Sequence, residues 1–416
     1  MRRKTVILMI LAAAAVLITA GTTISRPLHG RVQEVVSALP SGWSTPVNIS
    51  NQGGGSEAPT IVVDNSGRVY ATWTEWFGSV GAPRAMMYNS TTASGTWPDS
   101  QGSYLAYAAI DDVGFPTIVC TPTGGQAMVT YHDGNFAIGH MGILARLFTN
   151  GTLNGEAFIP GLSMSCSYVT SAYNPVDKLF YFILQYDASD NVIFELAVVT
   201  FNPATTEWHP IGLVHGQTGS SRYWPRLVID PKGTAHLLYI TRSPAVVRYC
   251  KNLTPSNPDT WTAPIDLSGD TARDWVSACI AADNDGDLYV AWYGNTGGYE
   301  SGTEEVWFNK TVNGAWQTKL NLTNNPKRSE GPSIAVNPAT KDIYLAYHER
   351  DLVNANDWEV MLMTYETQPN GQRTWSTPVN MTNSVGHDGE PSIRFDSRGG
   401  LHLAYHYTES SGNMEI

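Results

Sequence analysis

Runs of about six apolar residues recur along the chain, each ending at a short polar turn and followed by a second apolar run. APTIVVDNSGRVYATW (58–73), FPTIVCTPTGGQAMVTY (115–131), WPRLVIDPKGTAHLLY (224–239), SACIAADNDGDLYVAW (277–292), GPSIAVNPATKDIYLAY (331–347) and EPSIRFDSRGGLHLAY (390–405) share this form. SYVTSAYNPVDKLFYFILQY (167–186) is a weaker seventh copy. Short β-branched and aromatic runs around Asp and Gly turns predict antiparallel hairpins, and a proline at the very start of a strand costs no ladder hydrogen bond. The 3.6-residue period that a helical repeat requires is missing.

The recurring proline sets the repeat length, with 57 residues from Pro59 to Pro116 and 59 from Pro332 to Pro391. Between hairpins runs a second phrase led by tryptophan: Trp43, Trp97, Trp208, Trp261, Trp316 and Trp375, with Phe158 in the remaining slot. It follows less regular runs such as RAMMYN (84–89) and EVMLMTY (359–365). Each unit therefore holds four strands, a to d, with a and b apolar nearly throughout, as strands covered on both faces are. Four-stranded units of this length predict an all-β, seven-bladed β-propeller of antiparallel blades. WSTPVNIS (43–50) then falls on a d strand with no a, b or c before it, while the last unit ends in NMEI (413–416) without a d strand. The N-terminal strand is expected to complete the last blade and close the ring, which removes an exposed sheet edge.

Composition narrows the class. The net charge of −12 excludes a nucleic-acid partner, which needs a clustered excess of Lys and Arg. The first twenty residues, MRRKTVILMILAAAAVLITA, are cations followed by an apolar run, the form of a signal peptide cleaved after Ala20 or of a retained N-terminal anchor. Residues 1–20 are thus read as signal or anchor, 21–40 as linker and 41–416 as the propeller, placed outside the cell or on its surface. Cys120, Cys166, Cys250 and Cys279 have no zinc-site spacing, leaving two alternatives: buried small residues, or one or two disulfides that export permits.

The Trp-led outer strands, the S-x-x-P-x-I-x-x-D inner strands and the Gly-turn hairpins resemble the sialidase-like propellers built from BNR-type repeats, over about residues 41–416. The pattern departs from that family in three ways. The Asp-box S-x-D-x-G-x-T-W would lie in the c–d turn, where NKTVNGAW (309–316), PSNPDTW (255–261) and QPNGQRTW (368–375) keep only the terminal tryptophan. The Arg-Ile-Pro phrase of true sialidases is absent, and those enzymes usually have six blades. The resemblance implies the fold; the activity has to be argued from the site.

In such a ring the d–a and b–c loops emerge on one face around the axis. Arg222, Arg273 and Arg328 fall in comparable loops of three successive blades and would clamp a carboxylate if they converge, or would pair with local acids such as Asp274 or Glu330. Glu57, Trp76, His132, His348 and His406 complete the candidate ligand-binding set; the three histidines share one repeat position, as metal ligands would, although no metal is expected. The resemblance further implies a tyrosine nucleophile with a glutamate partner and an aspartate acid, roles for which Tyr407, Glu349, Glu390, Asp112 and Asp133 are the weak candidates. DNDGD (283–287) has the acids of a calcium loop, but its place matches the hairpin turns DNSG, DPKG and DSRG, so an ion there would be structural and no cofactor is expected. Asn48, Asn89, Asn150, Asn252, Asn309, Asn321 and Asn380 open N-x-S/T sequons, all in or near strands c and d, which are candidate glycan acceptors or simply part of the repeated phrase. Together these readings favour an extracellular propeller that recognises an anionic sugar or a surface protein. The alternative is an exo-acting sialidase-like glycoside hydrolase, or a lyase, on anionic sugars.

Overall fold

The computed structural model describes residues 7–8, 41–51, 55–77, 84–92, 94–98, 102–108, 112–134, 142–150, 152–159, 166–187, 194–214, 221–241, 245–269, 277–294, 304–350, 357–384, 386–408 and 414–416. Seven antiparallel sheets follow one another along the chain. Blade 1 runs Gly55–Val63, Val69–Trp76, Arg84–Ser90, Ser103–Ala108, and blade 2 runs Asp112–Cys120, Gln126–Gly134, Gly142–Thr149, Thr152–Phe158. Blades 3 and 4 start at Cys166–Tyr173 and Arg222–Ile229, blades 5 and 6 at Ala278–Ala282 and Arg328–Val336, and blade 7 at Gly389–Phe395. Each a strand lies against the a strand of the next blade, and that of blade 7 lies against that of blade 1, so the a strands line a central channel. The fold is an all-β, seven-bladed β-propeller. Apolar side chains fill the spaces between neighbouring blades, with Trp73, Trp292, Tyr131, Tyr347 and Tyr405 fully buried there.

The hairpin turns explain the D-x-x-G signal. Asp64, Asp230, Asp283 and Asp396 each accept with Oδ1 from the backbone N–H groups two and four residues on. The glycine of each turn sits between φ 81° and 91°, a conformation that costs other residues energy. Asp283 also accepts from Tyr289 Oη at 3.1 Å, so its carboxylate is committed to its own turn.

The repeated tryptophan phrase proves to be a connector. In blade 6, Asn380 Oδ1 accepts from the N–H groups of Thr382 and Asn383, while Thr382 Oγ1 accepts from Val360 N–H and donates to the half-buried Glu359. Asn321, Thr323, Val306 and Glu305 repeat this in blade 5. Asn48 and Ser50 make the same bonds to the opposite end of the chain: Ser50 Oγ accepts from Ile416 N–H at 2.7 Å and donates to Glu415 at 2.6 Å, and Ile49 N–H donates to Ile416 at 2.9 Å. Trp43 packs against the core between blades 6 and 7. The stretch makes single bonds there, not a continuous ladder. Ile7 and Leu8 lie parallel to Leu401–Thr408, opposite His402 and Leu403. Among the described residues no helix is long and apolar enough to cross a membrane.

One sequence expectation is corrected, and the alternatives left open for the sequons and the cysteines narrow. The repeated proline sits inside strand a, not at its start, because a register shift there absorbs its missing N–H: the shift falls between Glu57 and Thr60, Gly114 and Thr117, Tyr223 and Arg226, Glu330 and Ser333, and Gly389 and Ser392. Asn89, Asn252 and Asn309 are at most 5% exposed, and Asn252 Nδ2 donates to Asn257 O at 2.8 Å, so these three sequons have no room for a glycan in the folded ring. All four cysteines are free, and burial pushes every one of their thiols up.

Candidate functional site

The register shift in strand a forces the residue before the proline into the left-handed region. Ala58, Phe115, Trp224 and Glu390 hold φ between 48° and 53°, and Gly331 holds 58°. Such a conformation costs a non-glycine residue about 1–3 kcal/mol. It recurs at the same position of strand a in five blades, and it leaves Phe115 and Glu390 exposed while Trp224 stays partly packed against the core.

On one side of the channel these positions build an aromatic arc. Phe115 is 46% exposed, its ring centroid 4.4 Å from Tyr168; Tyr168 meets Trp224 edge-on at 5.9 Å, and Trp224 lies 5.7 Å from Tyr223. Phe115 is the exposed ring of the arc and the other three are partly buried; rings held by backbone and by one another lose little freedom when a flat apolar ligand face covers them.

The other side, across blades 6, 7 and 1, is ionic. Glu390 accepts from Ala58 N–H at 2.6 Å across the junction of blades 7 and 1 and lies 3.4 Å from His406 Nδ1. Glu390 N–H donates to His348 Nδ1 at 3.0 Å, which leaves His348 Nε2 toward Glu330 at 3.8 Å. His387 stands between His406 (centroids 5.0 Å) and His348 (6.5 Å), with Trp358 beside both His387 and His348. Arg84 stacks 3.4 Å over Trp76, the partner of Glu57.

The electrostatics of Glu57 and Glu390 differ in sign. Burial pushes Glu57 up and the negative Glu390 adds to this, only partly offset by Trp76, Arg84 and His406. Desolvation also works on Glu390, but His406, the Ala58 N–H and His348 outweigh it and hold the carboxyl down at about 2. Burial, reinforced by the charges of His406 and His348, takes His387 down to about 4, so it is neutral at pH 7. Among the described residues no cluster of His, Cys, Asp and Glu has the geometry to hold a metal ion.

Comparison with solved structures bears on the fold. The chain matches a Dyadobacter fermentans protein of unknown function with TM-score 0.51 at 9% identity, over 81% of this chain and 98% of that one. It matches the intramolecular trans-sialidase of Ruminococcus gnavus with TM-score 0.50 at 11% identity, over 89% of this chain and 93% of that one. The fold is a sialidase-like β-propeller. No family model matches the sequence, and no curated protein does.

The sialidase-like propeller brings together some of the residues singled out in the sequence and separates others. Glu57, Trp76, His348, His406 and Glu390 meet at the ionic side of the channel mouth. His132 is buried opposite Gly114 in strand b of blade 2. Arg222 and Arg328 do not present a clamp: Arg222 is 4% exposed and donates to Val214 O at 2.8 Å, and Arg328 pairs with Glu330 and with Glu304 at 2.8 Å. Arg273 lies outside the described residues, as do the side chains of Asp112 and Asp133, whose backbones pair with Gly134 and Val113. Tyr407 is 3% exposed in the core between blades 6 and 7, which denies it the channel, and Glu349 holds Lys327, Asn325 and Ser329 instead of a tyrosine. Phe115, Tyr168, Trp224, His387 and Trp358 were not foreseen. The signal for Phe115 and Trp224 was in the sequence, as the residue preceding each recurrent proline.

Proposed function

We propose that this is an extracellular or surface-attached carbohydrate-binding propeller, which takes a sugar on its loop face between the aromatic arc and the carboxylate and histidine side. The observation that carries the reading is Phe115: a large apolar ring, 46% exposed, held at positive φ and backed by Tyr168. A pyranose stacks its C–H face on such a ring while its hydroxyls donate to carboxylates. The structural likeness to a protein named as a trans-sialidase supports a glycan rather than a protein as ligand. The leader-like residues 1–20 support export.

A glycan array followed by calorimetry on the best binder tests this. Ala58 adopts the conformation of Phe115, so Phe115→Ala leaves the backbone as it is. That change and Trp224→Ala should each weaken binding by about tenfold, the equivalent of about 1.4 kcal/mol. An array without binders, or binding that ignores both changes, ends the glycan reading; binding to a surface protein would replace it.

One observation favours hydrolysis as a second reading: Glu57, next to the Ala58 N–H that Glu390 accepts, lies in the field of Glu390, and the two carboxyls have opposed proton affinities, which is how an acid and a base are separated. Glu57 would protonate the glycosidic oxygen as the C–O bond breaks, and Glu390 would take a proton from the water that attacks the anomeric carbon. Release of 4-methylumbelliferone from sialosides and uronides, abolished in Glu57→Gln and Glu390→Gln, is the expected result; no release from either class rejects it.

A further inference from the structure

An N-x-S/T sequon is usable only where two groups are free at once: the asparagine amide that takes the glycan and the hydroxyl two residues on. In six of the seven sequons the fold spends one or both. The hydroxyls of Ser50, Thr323 and Thr382 are bonded within the connectors and at most 8% exposed. Thr91 Oγ1 accepts from Val69 N–H at 2.9 Å and Thr311 Oγ1 from Leu288 N–H at 2.8 Å; both hydroxyls are buried, as are Asn89 and Asn309. Thr254 is exposed, but its asparagine, Asn252, is fully buried.

The sequon at Asn150 differs at both ends. Strands c and d of blade 2 pair Thr149 with Thr152, which leaves two residues for the hairpin, and Asn-Gly suits so short a turn best. Asn150 takes φ 52° there, and its N–H donates to Gly125 O at 2.6 Å. The backbone is thereby held while the reacting groups are left outside. Asn150 and Thr152 are both exposed, and among the described residues neither the carboxamide nor the hydroxyl makes a hydrogen bond. Gly125 keeps the approach clear, because a Cβ on it would lie 3.2 Å from Asn150 Oδ1.

We infer that Asn150 is an N-glycosylation site, and that it alone of the seven sequon asparagines carries a glycan in the folded ring. In the transfer, Asn150 Nδ2 forms a bond to the anomeric carbon of a glycosyl phosphate donor. The bond from that carbon to the phosphate oxygen breaks, its electron pair leaves with the phosphate, and one Nδ2 proton passes to a base of the transferase. The proposal rests on the export reading, because an N-linked glycan belongs to a secreted chain. Gly125 lies in the a–b turn of blade 2, at the opposite end of strand a from Phe115, so the glycan leaves the channel mouth clear.

The test is mass spectrometry of the chain isolated from the cells that make it naturally. Trypsin, cutting after Arg146 and Lys178, releases residues 147–178, a peptide whose only sequon is that of Asn150. In wild type this peptide should carry the mass of a glycan, and the peptides with Asn48, Asn321 and Asn380 should be bare. Thr152→Ala, which keeps the acceptor amide and its turn, should remove the glycan completely, whereas Thr152→Ser, which keeps the hydroxyl, should retain it. A bare 147–178 peptide in chain recovered outside the cell overturns the site and leaves export standing; a bare peptide in chain confined to the cytoplasm overturns both. A glycan on Asn48, Asn321 or Asn380, or one on Asn150 that survives Thr152→Ala, overturns the inference that two exposed groups select the site.

Discussion

Replacing Ser50 by alanine isolates the bond between the two ends of the chain. Ser50 is fully buried, and its hydroxyl serves both Ile416 N–H and the carboxylate of Glu415, which is 4% exposed. Alanine leaves a buried N–H and a buried carboxylate oxygen without that partner, at about 1–3 kcal/mol per group. Asn48 Nδ2, 3.4 Å from Glu415, recovers part of this, so about 3 kcal/mol is a fair expectation. With about 2.1 cal/mol/K of unfolding entropy per residue, a ring of this length loses about 1 °C of Tm per kcal/mol. The global shift is therefore small, about 3 °C. Hydrogen exchange reports the seam more sharply. If the ends open locally, about 3 kcal/mol corresponds to roughly a hundredfold faster exchange for the amides of Ile49 and Ile416. Thr382→Ala removes the corresponding hydroxyl inside blade 6 and serves as reference. Faster exchange around Met381 in that variant, with no change around Ile49 in Ser50→Ala, would refute the view that the ends are joined as neighbouring strands are.

Two further predictions use the same logic. Burial raises Glu75 and Asp388, both fully buried, to about 7 each, from ordinary values of 4.5 and 3.8. Between those ordinary values and pH 7 the unfolded chain has lost protons that the folded chain keeps, so stability falls as pH rises through this window. Glu75→Gln and Asp388→Asn should each recover up to about 3 kcal/mol at pH 8 and change little near pH 4, as read by urea unfolding at both values; parallel pH profiles for variant and wild type would count against it. Gly331 and Ala58 share one backbone conformation but predict opposite signs. A Cβ at Gly331 would sit 2.7 Å from His348 Cε1 at φ 58°, so Gly331→Ala should cost about 2–4 kcal/mol, whereas Ala58→Gly should gain up to about 1 kcal/mol by relieving φ 53°. Denaturant midpoints decide both.

The repeat was legible because each copy has to satisfy the same local demands. The turn aspartates accept two N–H groups wherever they occur, and N-x-S/T marks the same Asn and hydroxyl connection at Asn48, Asn321 and Asn380. Sequence periodicity therefore carried blade number, strand order and the kinship of the two chain ends. It could not say how a side chain's charge would be spent. Arg222 and Arg328 stood out by spacing, as a clamp or as partners of local acids; Arg328 does take the local acid Glu330, but its second glutamate, Glu304, and the Val214 carbonyl that ties Arg222 come from outside their own strands. The same holds for Glu57 and Glu390: spacing placed both in d–a loops, but only the meeting of blades 7 and 1 sets one against the other and divides their protons. Local hydrogen bonding is written in consecutive residues, whereas the electrostatics of a site depend on distances that only the closed ring defines.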